Sequence, residues 1–404
     1  MRFTRLLPAD STEARQAVEA RLKALDQQSQ RLAEKAAAQP HYGTFGLASS
    51  VKESLDSIIA GRIDASSPLL TPEFWLRFSG ELSCEGKSRS GEALLAAENT
   101  PMEQWEAAGE ALRDKGHFEL PQHMSPVQAA SLVVAVAELE KMGWPAAFVW
   151  MYDEPWRHLC AVWGGMERLL GGEAVLEPSV MAYALRQPQK PKPGSTGPSG
   201  TDYVGSNFGL PHRDYSYDES YRGDDELSTI TVWLPLTEAT LDNGCVYVVP
   251  KEFDAEFKAS DRKHHMRVAT QTATGTELAF NLAGARPLLA NAGCGLGWTG
   301  NLIHWGSQCS SDAAVGPRRS LGCVFRHPTA FQQSREADRE NLLAEGLTQE
   351  RCAHMGLLER CQVICKSLLA YQAWYTLGEA ALPRELLSLA ARRGEEGLEL
   401  QGPA

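Results

Sequence analysis

The segment LPHRDYSYDES, residues 210–220, places an imidazole two residues before a carboxylate. Side chains alternate between the two faces of a β-strand, so a strand here would put His212 and Asp214 on one face and Arg213 on the other. A neutral imidazole and a carboxylate that point the same way are two of the three ligands of the 2-His-1-carboxylate site that binds Fe(II). A histidine two residues before an aspartate is common by chance, so the pair alone is a weak signal. The site also needs a second histidine as its third ligand, and this histidine must come from elsewhere in the chain.

His304 is the best candidate for the second histidine. It lies in GLGWTGNLIHWGSQCS, where residues 301–305 have the pattern of a strand. A sheet that closes on itself would bring this segment to His212. The chain has 10 histidines, but the adjacent pair His264 and His265 lies in a charged segment typical of a solvated loop. The remaining ones lack a carboxylate at strand spacing that completes such a site as well.

Other catalytic motifs do not fit these residues. The tripeptide HRD also occurs in protein kinases, but no Gly-rich loop with a following lysine precedes it and no DFG follows it. Closed four-ligand zinc spacing and HExxH are absent, as are a P-loop and a GxSxG nucleophile motif. Oxygenase chemistry is therefore what the motif favours.

The elements around the motif divide into helices and short β runs. Residues 11–37 have apolar positions near helical spacing, and Ser125 followed by Pro126 is a typical helix start. From Val180 onward the chain turns to short apolar runs such as TITVWLPL and SLGCVF, which predict strands. After Pro328 the pattern returns to helix.

These patterns predict a β-rich core with helical segments at both ends. The stretch 187–205 is rich in Pro, Gly and Ser, and we interpret it either as an ordinary solvated loop or as a lid over the site. The predicted division is a helical N-terminal extension at 1–111, a core at 112–328 and a helical C-terminal segment at 329–404.

Composition excludes several classes of protein. The 404 residues carry a formal net charge of −12, so nucleic acid is an unexpected partner. No apolar run of membrane-spanning length is present, and the nine cysteines contain no CxxC pair. We expect a cytoplasmic protein with reduced thiols and no membrane span. Organelle targeting and the oligomeric state stay open.

The order of three motifs resembles the phytanoyl-CoA dioxygenase (PhyH) family of Fe(II)/2-oxoglutarate-dependent oxygenases. The motifs are HRDYSY, then LSTITVWLPLTEATLDNGCVYVVP, then LIHWGSQCSSDAAVGPRRSLGCVF. The upstream stretch DKGHFELPQHMSPVQAASL is similar to the opening strand and helix of that family. The resemblance covers about 112–328. It implies an α+β fold whose core is a double-stranded β-helix (jelly-roll, cupin-like) with helical N- and C-terminal flanks.

The same resemblance implies a metal and two cosubstrates. His212, Asp214 and His304 fall at the positions of the iron ligands, and 2-oxoglutarate and O₂ are the cosubstrates. Arg318 falls where the family has its cosubstrate arginine, and a guanidinium can bind the distal carboxylate of 2-oxoglutarate with two hydrogen bonds. A shift of one residue in register would exchange Arg318 for Arg319.

Four further residues are expected near the bound molecules. Trp233 falls where the family has an aromatic residue lining the cosubstrate pocket, although core packing would explain it equally well. Ser307 is an expected cosubstrate contact, in an interval that is longer here than is usual in the family. Tyr215 and Tyr217 flank the metal motif and are expected to contact the substrate.

The predicted activity is hydroxylation of a C–H bond in a small-molecule or acyl substrate, with release of succinate and CO₂. Two other functions fit the same motif. One is a non-catalytic jelly-roll binding protein that retains the metal. The other is a cupin-type metal-dependent isomerase or lyase, which would not need Arg318. No CoA-binding or carrier-binding pattern is present, so the sequence does not identify the substrate.

Overall fold

A computed structural model gives the fold. It describes residues 49–84, 100–121, 123–185, 211–259, 269–272, 275–278, 280–307, 309–310, 313–332, 343 and 345–371. The helix predicted over 11–37 and the stretch 187–205, interpreted as a solvated loop or a lid, lie outside these residues. The described residues form a mixed arrangement of helices and antiparallel sheets, so the α+β class is confirmed.

The described α-helices are α1 (Ser49–Ile59), α2 (Pro72–Leu76), α3 (Met102–Lys115), α4 (Pro126–Lys141), α5 (Asp153–Leu170), α6 (Tyr217–Ser220), α7 (Gln349–His354) and α8 (Leu357–Ala370). The described strands are β1 (His117–Leu120), β2 (Val175–Ala184), β3 (Tyr221–Arg222), β4 (Glu226–Leu227), β5 (Thr229–Pro235), β6 (Val246–Val248), β7 (Ala269–Thr272), β8 (Gly275–Leu278), β9 (Arg286–Leu288), β10 (Gly295–Thr299), β11 (His304–Gly306) and β12 (Arg319–Arg326). None of these helices is long and apolar enough to cross a membrane.

The larger sheet has the strand order β1-β10-β5-β12-β2, and all neighbouring strands are antiparallel. Every residue of the middle strand β5, TITVWLP, is buried. A run of β-branched and apolar residues suits a strand that is covered on both faces. Val232 and Leu234 belong to the apolar core that includes the helices, whereas Trp233 belongs to a second apolar cluster. The middle strand therefore contributes alternate residues to two cores.

The second apolar cluster joins the larger sheet to a smaller one. The smaller sheet has the strand order β11-β6-β9, again antiparallel. Trp233 and Trp298 of the larger sheet share this cluster with Val246 and Trp305 of the smaller sheet. The two sheets thus enclose an apolar interior between them.

Helices that precede the strands in the sequence, such as α1, and helices that follow them, such as α8, form one layer on the larger sheet. Helix α8 contacts α1, β2 and the 3₁₀ turn Ala146–Met151. A buried ion pair joins the start of α5 to α8, with Asp153 Oδ1 2.6 Å from an Arg360 guanidinium nitrogen. Arg360 also donates to the carbonyl of Met151 at 2.8 Å. The predicted domain boundaries at 111/112 and 328/329 stay a prediction.

Local sequence signals explain where several helices begin and end. The Ser125 hydroxyl accepts a hydrogen bond from the backbone N–H of Gln128 at 3.2 Å, with Pro126 in the first helical position, so the predicted start of α4 is confirmed. Helix α5 ends at Leu170 and is capped by Gly171, whose φ of 71° is in the left-handed region. The C-terminal helical pattern is divided at Gly356, which caps α8.

Two buried histidines make the stability of the fold pH-dependent. His123 and His158 lie ring to ring with centroids 5.9 Å apart. Burial lowers the pKa of His123 to about 4 and, with a further effect of His123, the pKa of His158 to about 3. The unfolded chain, whose histidines keep an ordinary pKa, takes up these protons first. The stability that the two neutral imidazoles contribute is therefore fully present above the unfolded pKa of 6.5 and is lost as the pH falls towards 4.

We expect His123→Asn to flatten this dependence. Between pH 6.5 and pH 4 the slope of unfolding free energy against pH should decrease by up to about 1.4 kcal/mol per pH unit, since one fewer proton is taken up on unfolding. Urea unfolding followed at a series of pH values measures the slope. His354→Asn, at an exposed position on α7, is the control and should keep the wild-type slope. Equal slopes for His123→Asn and wild type would contradict the prediction.

Candidate metal centre

His212 and His304 meet as cross-strand neighbours. The backbone N–H of His212 donates to the carbonyl of His304 at 3.0 Å, and the reciprocal bond is 2.9 Å long. The segment of His212 thereby extends the smaller sheet beyond its edge strand β11. Side chains of directly opposite residues point to the same face, and the two imidazole centroids are 4.3 Å apart. The sheet pairing brings together two residues that are far apart in the sequence.

The carboxylate of Asp214 reaches the histidines through a bend, not through the predicted strand. The sheet pairing of this segment stops at His212. The N–H groups of Asp214 and Tyr215 both donate to the carbonyl of Gly300, at 3.0 and 2.9 Å. Ser216 then begins helix α6 with a reciprocal capping box, so the chain turns away from the sheet immediately after the motif.

The three side chains form a donor set that fits a metal ion. One ligand atom from each of His212, Asp214 and His304 lies within 4.8 Å of the others. The Nε2 atoms of His212 and His304 are 3.6 and 3.5 Å from the two carboxylate oxygens. Two imidazoles and one carboxylate are the ligands of a mononuclear Fe(II) site.

Two hydrogen bonds orient the ligands. Nδ1 of His304 is 2.9 Å from the carbonyl oxygen of Leu302, so Nδ1 carries the proton and Nε2 presents its lone pair. The Thr231 hydroxyl donates to Oδ2 of Asp214 at 3.0 Å. The indole of Trp298 also packs beside the ring of His304, with centroids 4.8 Å apart. The ligand geometry is thus set by neighbours before any metal binds.

The Thr231 hydrogen bond gives a direct test of this orientation. We expect Thr231→Val to weaken Mn²⁺ binding by about 10- to 100-fold, because loss of a hydrogen-bond partner of a metal ligand has that effect. Calorimetric titration with Mn²⁺ measures the affinity. Thr229→Val is the matched control on the same strand, since its hydroxyl donates to the carbonyl of Glu219 and not to a ligand. Wild-type affinity in Thr231→Val would show that the bond does not orient Asp214.

A cavity of about 60 Å³ lies against the three candidate ligands. Apart from those ligands and one arginine, its wall is largely apolar and aromatic. The other lining residues are Met181, Tyr183, Thr231, Val232, Trp233, Val246, Trp298, Gly306, Gly322 and Tyr371. Such a wall lowers the local dielectric constant and strengthens the electrostatic interactions within the cavity.

The arginine in the wall is Arg318, which is 1% exposed. Its guanidinium lies over the ring of Trp233, 4.9 Å from the centroid, and donates to the hydroxyl of Ser320 at 2.9 Å. Burial lowers the pKa of Arg318 to about 10, so it is still protonated at neutral pH. Within the described part of the chain no carboxylate lies at ion-pair distance from Arg318. A buried cation without a counter-charge is costly, and the cavity is therefore suited to an anion.

The two adjacent arginines point in different directions. Successive residues of a strand alternate between its faces, and Arg319 is the first residue of β12. A guanidinium nitrogen of Arg319 lies 3.6 Å from a carboxylate oxygen of Glu140 on α4. Arg318, and not Arg319, therefore lines the cavity.

Three predicted contact residues lie outside the cavity lining. The Ser307 hydroxyl donates to the backbone carbonyl of Cys245 at 3.1 Å. The Tyr215 hydroxyl donates to Glu177 at 2.7 Å, because the chain bends after the motif and directs this ring away from the cavity. Tyr217 stacks on another tyrosine ring of the same segment. The predicted contacts of these residues with cosubstrate or substrate stay predictions.

Several lining residues were missed by the sequence analysis. Thr231 lies two positions before Trp233, and strand periodicity could have placed it on the same face. Trp298 had a similar signal, since its segment leads to the second histidine, and its indole N–H has no acceptor among the described residues. Tyr371 follows helix α8, and no local pattern connects it to the metal motif.

Comparison with known families agrees with this site. The family model for phytanoyl-CoA dioxygenase (PhyH) matches residues 189–320, a range that contains the three candidate ligands and Arg318. Residues 189–320 are PhyH-like. The predicted resemblance is confirmed, and with it the class of enzyme, an Fe(II)/2-oxoglutarate-dependent oxygenase. The His–Asp–His set supplies donors for the iron that this class uses.

Several solved structures are similar to this chain at low identity. The epimerase SnoN, in complex with Fe³⁺, alpha-ketoglutarate and nogalamycin RO, has 15% identity and a TM-score of 0.36, covering 56% of this chain and 84% of SnoN. The carbocyclase SnoK from nogalamycin biosynthesis has 19% identity and a TM-score of 0.36, covering 57% and 86%. AviO1 from Streptomyces viridochromogenes has 18% identity and a TM-score of 0.34, covering 57% and 97%. No curated protein matches the sequence.

Proposed function

We propose that the chain hydroxylates a C–H bond of a small-molecule or acyl substrate. In this reaction 2-oxoglutarate loses CO₂ and becomes succinate. One oxygen atom of O₂ enters succinate, and the other converts the C–H bond of the substrate to C–OH. The observation that carries the proposal is the buried guanidinium of Arg318, which faces the same cavity as the His–Asp–His set and has no carboxylate partner in the described chain.

The metal would be held by His212, Asp214 and His304, which leave three coordination positions open. Iron together with 2-oxoglutarate and O₂ supplies, when bound, the oxidising power that a C–H bond requires. The chain's own contribution is to fix the ligands. The carbonyl of Leu302 keeps the proton of His304 on Nδ1, and the hydroxyl of Thr231 holds the carboxylate of Asp214.

Arg318 would bind the distal carboxylate of 2-oxoglutarate. Its side chain lines the cavity, and its buried Nε–H has no acceptor among the described residues, so the protein does not satisfy all the donors of this guanidinium. Trp233 fixes the plane of the guanidinium from one side, and Ser320 accepts one of its N–H groups. A buried ion pair of this kind compensates the desolvation that an unpaired Arg318 suffers.

The wall of the cavity favours an uncharged reacting group. Among the described lining residues Arg318 alone carries a permanent positive charge, and the cosubstrate would neutralise it. Aromatic and aliphatic side chains such as Trp298, Val246 and Met181 complete the wall. We therefore infer that the part of the substrate next to the metal is apolar.

The fold we propose for this core is the double-stranded β-helix. Two antiparallel sheets share one apolar interior, and the metal motif lies where the edge of the smaller sheet meets the turn after β10. The PhyH match over 189–320 supports the same fold.

Isotope labelling tests the proposed reaction. Purified protein is incubated with Fe(II), ascorbate, 2-oxoglutarate and a metabolite extract under ¹⁸O-labelled dioxygen. We expect succinate to form at the rate at which 2-oxoglutarate is consumed, with one labelled oxygen atom in succinate and the other in the new hydroxyl group of the substrate-derived product. Substrate conversion without 2-oxoglutarate consumption would instead indicate an isomerase or lyase. Metal binding with no turnover of any metabolite would indicate a binding protein.

A further inference from the structure

A buried carboxylate behind the metal motif collects four hydrogen bonds. Glu177 of β2 is fully buried. Its Oε1 accepts from the hydroxyls of Ser179 at 2.8 Å and Tyr371 at 3.0 Å. Its Oε2 accepts from the hydroxyl of Tyr215 at 2.7 Å and from the guanidinium of Arg326 at 3.2 Å. These four donors come from described residues, and a carboxylate has about four acceptor positions.

Three of the four donors connect Glu177 to the site. Tyr215 follows the candidate ligand Asp214 directly. Arg326, the last residue of β12, lies with its guanidinium over the ring of the same Tyr215. Tyr371 comes from the end of α8 and lines the cavity itself.

Tyr215 is fixed at its backbone, its ring and its hydroxyl. Its N–H and that of Asp214 share the carbonyl of Gly300 as acceptor. The ring packs so closely on Gly300 that a Cβ there would lie 2.6 Å from the ring atom Cδ2. The guanidinium of Arg326 lies over the other part of the ring, 5.3 Å from the centroid. Because Asp214 is the preceding residue, a fixed Tyr215 also fixes the backbone that carries the ligand.

We propose that Glu177 is a positioning residue of the metal centre. It holds Tyr215, and through it the backbone of Asp214, and it joins the C-terminal helix α8 to the cavity through Tyr371. The inference rests on the proposed function in that it takes Asp214 as a metal ligand. Glu177 and Tyr371 both lie outside residues 189–320, where the PhyH family model matches.

A matched control separates positioning from stability alone. Asp153 is also a buried carboxylate that is paired with a buried arginine, Arg360, at 2.6 Å. That pair joins two helices, and neither residue lines the cavity. Glu177→Gln and Asp153→Asn each remove a charge and keep the shape of the side chain. Tyr215→Phe removes one hydrogen bond of Glu177 and keeps the ring.

The experiment measures Mn²⁺ binding by calorimetry, without cosubstrate, at a temperature where circular dichroism shows each variant folded. We expect Glu177→Gln and Tyr215→Phe to bind Mn²⁺ about tenfold more weakly, at the lower end of the effect of residues that support metal ligands. In the metal-free protein the amides of Asp214 and Tyr215 should exchange with solvent faster in both variants. Asp153→Asn should unfold at a lower temperature but keep the wild-type Mn²⁺ affinity.

Two results would overturn the inference while leaving the proposed function in place. One is an Mn²⁺ affinity of Glu177→Gln within about twofold of wild type. The other is an equal loss of affinity in Asp153→Asn. If wild type binds no Mn²⁺, or if His304→Ala binds it equally well, the metal centre itself is wrong and both proposals fail.

Discussion

Replacing His212 with alanine is expected to abolish 2-oxoglutarate turnover and tight metal binding. The site offers three protein ligands, and His212 is one of the two imidazoles that the sheet pairing places 4.3 Å apart. With one ligand gone, the remaining pair cannot define one face of an octahedral metal. We expect the rate of succinate formation to fall at least about a thousandfold, which corresponds to roughly 4 kcal/mol.

The measurement for His212→Ala combines succinate formation with Mn²⁺ titration. Both should be lost together, because the same side chain serves metal binding and turnover. His354→Ala removes a histidine from the exposed face of α7 and should retain both. A His212→Ala protein that still forms succinate at the wild-type rate would rule out the assignment of this ligand.

Replacing Arg318 with alanine is expected to separate cosubstrate binding from metal binding. Removing one partner of a buried hydrogen-bonded charge pair costs about 2–5 kcal/mol, so the KM for 2-oxoglutarate should rise roughly thirtyfold or more. The Mn²⁺ affinity should stay near that of wild type, because Arg318 is not a metal ligand. The KM of Arg318→Lys for 2-oxoglutarate should lie between those of wild type and Arg318→Ala, since lysine keeps the charge but loses the planar pair of donors.

Arg319→Ala is the matched control for Arg318. The guanidinium of Arg319 is partly exposed and lies 3.6 Å from Glu140 on the outside of the sheet. Such pairs contribute about 0–1 kcal/mol to stability, and the KM for 2-oxoglutarate should not change. If Arg319→Ala raises the KM and Arg318→Ala does not, the register of the cosubstrate arginine is wrong.

The elements and the metal motif could be predicted because local patterns encode them. Strand β5 has the composition of a buried strand, and Ser125 with Pro126 predicted the start of α4. The pair His212 and Asp214 was found from its spacing, although the path between them is a bend. The capping box that begins at Ser216 is the physical reason, and it is visible in the sequence as Ser-x-x-Glu.

The rest of the site depends on contacts between distant segments. No local sequence pattern around Glu177 predicts the four hydrogen bonds that it accepts from described residues. Tyr371 reaches the cavity only because α8 packs on β2 and α1. The Tyr215 hydroxyl donates to Glu177, which is distant in the sequence, and the predicted contact of Tyr215 with substrate stays a prediction. Tertiary packing decides each of these positions, and local sequence patterns do not contain it.

The single helical layer has a consequence for how the protein is made. On the ribosome, the residues of the metal motif emerge well before α8. Strand β2 and helix α1 are synthesised earlier still, yet the surfaces that they bury against α8 stay uncovered until α8 has been synthesised. Contacts of such long sequence separation form late and slowly. The nascent chain therefore carries its histidines and its carboxylate for a period in which Tyr371 has not yet closed the cavity wall, and the wall is completed only after α8 has been synthesised.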